Sequence, residues 1–237
     1  MVEYRLDGRV DVHDVDFNGM ARASSILRYM QSAAQEQLTA NGMSYDTLYK
    51  EHKRAFILSR LRLEIYSPLL AHMPFTAVSY PCDSRGYTFI RCHRLEAMGE
   101  TVARAVSVWA LINTETRELV RVDDFELGLP TVPFPELEPS RFRLPSVMRE
   151  MGKYAVRYAD LDQNMHMNNT RYPDMYANFL DMRGKRVRAI TINYQKEAAI
   201  SDELTVMGGF EGDSCFFRTV RGDGKVNSEA EILLADL

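Results

Sequence analysis

Beyond Ala23 the apolar residues Ile26, Tyr29, Met30, Ala33 and Ala34 recur at three- and four-residue intervals, the spacing of one face of a helix over about 21–40. Asn41-Gly42 suits its C-terminal end, and a short helix around 44–51 follows. The period then changes to two. Leu61, Leu63 and Ile65 alternate with charged residues in a strand over 54–66, and further strands are predicted over 74–80, 86–95 and 101–113. Turns at Asp83-Ser84-Arg85-Gly86 and Met98-Gly99-Glu100 divide them, and a strand around 2–12 precedes the helix. The second half repeats this order: a strand at about 152–158, a helix over 169–182 on Tyr172, Met175, Tyr176, Phe179 and Leu180, then strands near 186–196, 203–210, 214–221 and 226–234. One strand, one helix and four strands per half predict an α+β fold in which each antiparallel sheet curls around its own helix.

The halves also share a motif. Asp14-Val15-Asp16-Phe17-Asn18-Gly19-Met20 is echoed by Asp160-Leu161-Asp162-Gln163-Asn164-Met165-His166, position 160 against position 14, an offset of 146. Only the second copy carries a His, so the two copies are expected to differ in chemistry. Between them, Glu126 to Arg149 holds Pro130, Pro133, Pro135, Pro139 and Pro145, and its X-Pro steps favour extended backbone. The expected division is therefore 1–125, a proline-rich linker over 126–150, and 151–237.

Composition narrows the function classes. With 46% hydrophobic and 26% charged residues over 237 positions, the chain has the mix of a folded globular protein. A net charge of −4 without a basic run gives no reason to expect nucleic-acid binding. No apolar stretch approaches the roughly 18 residues of a membrane span, and the residues from Met1 to Asp7 lack a signal peptide's apolar core, so a cytoplasmic protein is expected. Cys82, Cys92 and Cys215 lie in strand-like segments without Cys-x-x-Cys spacing and read as reduced structural thiols. His166 is the single His of its half, so no metal ligand set is expected, and the Gly208-Gly209 and Gly222-Asp223-Gly224 pairs read as turns. No cofactor is implied.

The chemistry concentrates at 160–169. In an extended loop, Asp162, Asn164 and His166 project to one side, where a carboxylate can fix the tautomer of an imidazole and an amide can orient a water or a carbonyl. The run ends at a helix start with polar caps at Asn168, Asn169 or Thr170 and with Pro173 in the first turn, where unpaired N–H groups can stabilise an oxyanion. Asp and Asn before a helix more often serve only as caps, the role that fits Asp16 and Asn18 of the first copy. The second copy adds His166 and the later tract Tyr194-Gln195-Lys196-Glu197-Ala198, read as strand. There Glu197 is either a base in the apolar neighbourhood of Ala198-Ala199-Ile200 or a solvated edge residue.

Taken together, Asp160-Leu161-Asp162-Gln163-Asn164-Met165-His166-Met167-Asn168-Asn169, Tyr172 downstream and Tyr194-Gln195-Lys196-Glu197 resemble the acyl-acyl carrier protein thioesterases of plant and bacterial fatty acid synthesis. The resemblance covers essentially the whole chain. It implies two tandem hotdog domains, a catalytic set of Asp162, Asn164, His166 and Glu197 in the second, and an acyl pocket in the first. Pocket candidates are Ile26, Met30 and Ala33 on the helix and Trp109 with Leu111 on a strand, although each is more often plain core. Many plant members carry Cys immediately after the Glu, whereas this chain has Ala198, so a thiol nucleophile there is excluded. With no Gly-x-Ser-x-Gly elbow either, the expected reaction is direct hydrolysis of a thioester by general-base attack of water.

The resemblance further implies a carrier protein as partner, with Arg183, Lys185, Arg186 and Arg188 as a candidate basic dock for it, and it leaves a homodimer open. Two alternatives remain at this point, an acyl-CoA thioesterase and a non-catalytic acyl-binding hotdog protein. A hotdog enoyl hydratase fits less well, because its resemblance motif Asp-x-Asn-Pro-x-His has Pro where Met165 stands and His one residue later.

Overall fold

The computed structural model describes residues 2–133 and 135–237. The chain forms two compact units, the first built almost wholly from residues up to Pro139 and the second from Ser140 onward. In the first unit the order is β1 (Tyr4–Arg9), α1 (Ala23–Ala40), a short π-helical turn (Thr47–Glu51), β2 (Arg54–Ile65), β3 (Pro74–Arg85), β4 (Thr88–Ala97), β5 (Glu100–Asn113) and the two-residue β6 (Leu119–Val120). The second unit holds β7 (Arg149–Ala155), α2 (Tyr172–Ala177), β8 (Lys185–Tyr194), β9 (Glu203–Glu211), β10 (Ser214–Val220) and β11 (Val226–Asp236).

Both units use the same strand order. The first runs β1-β3-β4-β5-β2 and the second β7-β9-β10-β11-β8, with every neighbouring pair in these runs antiparallel. In the first unit β6 takes the edge of β5 beyond the start of β4, through Leu111↔Val120 and Ile112↔Leu119. Sequence periodicity misses β6 because two residues carry no pattern.

Helix α1 presents Ile26, Met30 and Ala33 at no more than 1% exposure, the buried stripe that its spacing predicts. It lies against one face of the first sheet, where Tyr29 stacks on Phe75 with ring centroids 4.3 Å apart. Gly8 pairs with Phe75, and a Cβ at Gly8 would meet that ring at 2.5 Å, so only glycine lets β1 pass beneath it. The opposite face is covered too. Val78, Tyr80, Cys82, Cys92 and Val106 pack with Leu137 and Val132 from the proline-rich stretch, and Val132 exchanges backbone hydrogen bonds with Pro81 and Asp83. This is why β3 is buried continuously from Ala77 to Cys82 instead of alternating. All three cysteines are free thiols in buried positions.

A polar row crosses the α1 face of this sheet. The Arg91 Nη1 donates to Gln37 Oε1 of α1 (2.7 Å) and to Ser79 Oγ (2.9 Å), His93 Nε2 faces Ser107 Oγ (3.2 Å), and the Trp109 indole N–H donates to the same oxygen (2.8 Å). Burial lowers the Arg91 guanidinium to about 10. Burial, reinforced by the Arg91 charge and opposed by the Met30 backbone, lowers the His93 imidazole to about 3.

In the second unit the helix is shorter than its apolar spacing predicts. A 3₁₀ turn (Asn169–Arg171) leads into the six residues of α2, and the chain then tightens as Phe179 N donates to Tyr176 O (3.0 Å) and Leu180 N to Ala177 O (3.1 Å). Asn178, a poor helix former, stands where α2 ends. Pro173 sits in the first turn as expected. Tyr176 stacks on Phe217 at 4.9 Å and anchors α2 on its sheet. Among the described residues no helix is long and apolar enough to cross a membrane.

Candidate active site

The repeated motif is a repeated piece of structure. In the first copy Asp16 N donates to Met20 O (2.8 Å), Gly19 N to Asp16 O (3.0 Å), and the Asp16 Oδ1 accepts from Asn18 N (2.8 Å). In the second, Asp162 N donates to His166 O (2.9 Å), Met165 N to Asp162 O (3.0 Å), and Asp162 Oδ1 accepts from Asn164 N (2.8 Å). Each bond recurs at the same offset of 146, and so do the flanking bridges Val15↔Ala21 and Leu161↔Met167. Gly19 has φ 76° and Met165 φ 63°. The turn needs a left-handed residue at this point, and the second copy fills it with a non-glycine at some cost in strain.

The motif is therefore a tight turn and not an extended loop, so strand-like alternation does not describe how Asp162, Asn164 and His166 are arranged. One carboxylate oxygen of Asp162 shapes the turn, as its counterpart Asp16 does. Asp160 braces the base of the turn, its Oδ1 accepting from Tyr154 Oη (2.9 Å) and its Oδ2 from Arg157 N (2.8 Å).

A second segment closes over each turn. Ala21 N donates to Leu69 O (2.7 Å) in the first unit and Met167 N to Ala198 O (2.7 Å) in the second, with bridges Met20↔Leu70 and His166↔Ala199. By this pairing Met20 stands in place of His166 and Pro68 in place of Glu197. Only the second unit gains reactive groups. His166 Nε2 lies 3.4 Å from Glu197 Oε2, with side-chain exposures of 36% and 46%. Glu197 is thus neither on a strand, since β8 ends at Tyr194, nor in apolar surroundings. The buried residue is its neighbour Ala198, at 0% exposure, while Ile200 is 46% exposed. Glu197 is held where water reaches it.

The N–H groups expected to be open at the helix start are partly taken. Asn168 caps the turn, its Oδ1 accepting from Thr170 N (2.9 Å) and its carbonyl accepting from Arg171 N (2.9 Å). Beneath the site runs a buried network that the motif does not announce. Asn227 Nδ2 donates to Tyr172 Oη (3.0 Å) and to Lys196 O (2.5 Å), Asn227 Oδ1 accepts from Thr219 Oγ1 (2.8 Å), and Tyr176 Oη shares a hydrogen with Ser228 Oγ (2.7 Å). Burial raises the Tyr172 phenol to about 12, and the carboxylates of Glu197 and Asp162 contribute to the shift. The trace of this network in the sequence is faint: Thr219, Asn227 and Ser228 are fully buried, but β10 and β11 also carry Arg218, Glu229 and Glu231, so polar letters alone do not single them out.

The remaining candidates fall as follows. Ile26, Met30 and Ala33 line the inner face of α1, Leu111 is buried on β5, and Trp109 is half-buried there against Phe56 and Phe89. Arg183 is paired with Asp181 (2.7 Å), whose carboxyl it lowers to about 2, and Lys185 lies 3.9 Å from Asp236. Cys215 is buried and its thiol pushed up by that burial, the opposite of an activated nucleophile. No group of three or more metal-ligating side chains occurs among the described residues.

The sequence matches the acyl-ACP thioesterase N-terminal domain over residues 2–127 and the acyl-ACP thioesterase C-terminal domain over residues 146–234. The chain belongs to the acyl-ACP thioesterase family. An Arabidopsis thaliana relative, oleoyl-acyl carrier protein thioesterase 2, chloroplastic, is 27% identical over 81% of this chain, and the match spans 60% of that relative's length. Oleoyl-acyl carrier protein thioesterase 1 of the same plant is 25% identical over 90% of this chain and 70% of its own. In fold the chain is similar to an acyl-ACP thioesterase from Bacteroides thetaiotaomicron, with TM-score 0.89, 20% identity and 98% of each chain covered. It is also similar to the 12:0-ACP thioesterase from Umbellularia californica, with TM-score 0.83, 15% identity, and 100% and 98% of the two chains covered. Two tandem hotdog domains, expected for an acyl-ACP thioesterase, describe the architecture.

Proposed function

We propose that this chain hydrolyses the thioester of a fatty acyl group carried on acyl carrier protein. The observation that carries the reading is the solvent-open pairing of His166 with Glu197 at 3.4 Å, in a turn whose first-unit counterpart has Met20 and Pro68 instead. Glu197 acts as general base. It takes a proton from water as the water oxygen attacks the thioester carbonyl, and the tetrahedral intermediate collapses by breaking the C–S bond, with a proton returned to the thiolate. His166 orients Glu197, Asp162 holds the turn that presents His166, and Asn164 holds the carbonyl oxygen. Ala198 offers no side chain for a covalent route.

In this reading residues 151–237 form the catalytic half and residues 1–125 the acyl-binding half, with Ile26, Met30, Ala33 and Trp109 lining the pocket and residues 126–150 connecting the two. The leaving thiol is that of the carrier protein, which the family name favours over coenzyme A.

The test is hydrolysis of one acyl chain presented on carrier protein and on coenzyme A by the wild-type protein and by Glu197→Ala. Wild type is expected to release free fatty acid from the carrier, and the variant to lose about 10²–10⁴ in rate. No hydrolysis of either thioester by wild type would overturn the function. Hydrolysis of the coenzyme A thioester alone would overturn the carrier assignment, and a fully active Glu197→Ala would overturn the base.

A further inference from the structure

Glu197 stands on a short irregular stretch between the end of β8 at Tyr194 and the turn beyond Ala199. Outside regular structure, a backbone keeps its place only through specific bonds. Besides Met167 N, which donates to Ala198 O (2.7 Å), two places on neighbouring strands supply such bonds. The carbonyl of Asn227, on β11, accepts from Gln195 N (2.9 Å) and Lys196 N (3.1 Å), and its side-chain amide donates to Lys196 O (2.5 Å). From the end of β10, Arg221 Nη1 donates to the carbonyl of Glu197 itself (2.8 Å). Arg221 in turn lies 3.6 Å from Asp202 Oδ2, the oxygen that accepts from Ala199 N (2.9 Å).

The amide of Asn227 can face only one way. It is fully buried, its oxygen meets the hydroxyls of Thr219 (2.8 Å) and Ser228 (3.2 Å), and its nitrogen meets the acceptor-only carbonyl of Lys196. A flip would set oxygen against oxygen at 2.5 Å. The second amide hydrogen reaches Tyr172 Oη (3.0 Å) at the start of α2, the helix that follows the His166 turn. One buried side chain is thereby bonded both to the stretch bearing Glu197 and to the helix next to His166.

We infer that Asn227 and Arg221 are positioning residues for the reaction: they touch no reacting atom and act by fixing the backbone of Glu197 relative to His166. The inference rests on the reading of Glu197 as the base. A displacement of about 1 Å in such a group is enough to cost roughly 100-fold in rate, and the effect falls on turnover and not on substrate binding.

The test is a double-variant cycle in the full chain with acyl carrier protein thioester as substrate, using Asn227→Ala, Arg221→Ala, Arg221→Lys and Glu197→Ala, with folding of each checked by circular dichroism. Asn227→Ala and Arg221→Ala are each expected to lower kcat roughly 10- to 100-fold with KM changed less than about twofold, and Arg221→Lys to restore much of it. In the Glu197→Ala background the same changes are expected to cost nothing further, because the group they position is gone. If instead Glu197→Ala loses about 10²–10⁴ in rate and each variant lowers the remaining rate by the same factor as in wild type, positioning through Glu197 is overturned while the base survives. If Glu197→Ala is fully active, the base fails first and the inference with it. Should Asn227→Ala not fold, the partly exposed Arg221 carries the same cycle alone: no further cost in the Glu197→Ala background supports positioning, and an undiminished cost overturns it.

Discussion

Replacing His93 with Gln is expected to flatten the acid dependence of the first unit's stability. In the folded unit the His93 imidazole is held at about 3 against 6.5 for a free one, by burial and then by the Arg91 charge. Between those values the unfolded chain binds a proton that the folded unit does not, so stability rises with pH through this window. On acidification the loss begins near 6.5 and is complete only near 3. At about 1.36 kcal/mol per pH unit, roughly 2.7 kcal/mol is gone by pH 4.5, a large share of an ordinary domain's 5–15 kcal/mol. Glutamine preserves a donor and an acceptor toward Ser107 without titrating. The chain has one tryptophan, Trp109, and its indole N–H bonds the same Ser107 Oγ that His93 faces, so its fluorescence reads this unit during urea unfolding. Between pH 7 and 4.5 the wild type should lose roughly 2–3 kcal/mol more than His93→Gln. Glu3 and Glu96, held low by hydrogen bonds from Arg94 and Arg5 respectively, titrate in both proteins and cancel. Equal losses in both would mean that His93 is not held neutral by burial, and the reasoning would fall.

Two further outcomes follow from the proposed pocket and the proposed partner. Ala33, at 0% exposure on α1, replaced by Phe should shift preference toward shorter acyl chains by roughly fourfold per methylene excluded, at about 0.8 kcal/mol each. An unchanged length profile at unchanged melting temperature would put the pocket elsewhere. Reversing two charges of the basic cluster, Lys185→Glu with Arg186→Glu, is expected to raise KM for carrier-bound substrate and to leave a small thioester unaffected. Equal effects on both substrates would refute docking there.

The strands are legible in the sequence because their periodicity is strong: β2 and β5 begin and end within about a residue of the spans that alternation gives. The first helix follows equally from its stripe. The second does not, because Tyr172, Met175 and Tyr176 satisfy a helical spacing that the chain abandons after Ala177, where the following apolar residues pack from tight turns. In the site, the identity of the motif is plain but its conformation is not, since a left-handed Met165 has no compositional signal. The environment of Glu197 is hidden because the apolar letters after it describe the buried Ala198 and not the carboxylate. The role of Asn227 is not legible in the sequence: its partners Lys196 and Tyr172 are 31 and 55 positions away, and only folding brings them together.

The twin turns bear on how such a protein can change over time. The first turn assembles with a methionine and a proline at the places where the second holds an imidazole and a carboxylate, so the skeleton does not depend on the groups it displays. Loss of activity therefore need not entail loss of the fold, and a chain of this kind can drift into a silent binder, or regain reactivity, by exchanging a few surface-accessible side chains. On the proposed assignment of chemistry to the second unit, the same independence leaves the interior of the first open to be reshaped for new acyl groups while the reactive turn is inherited unaltered.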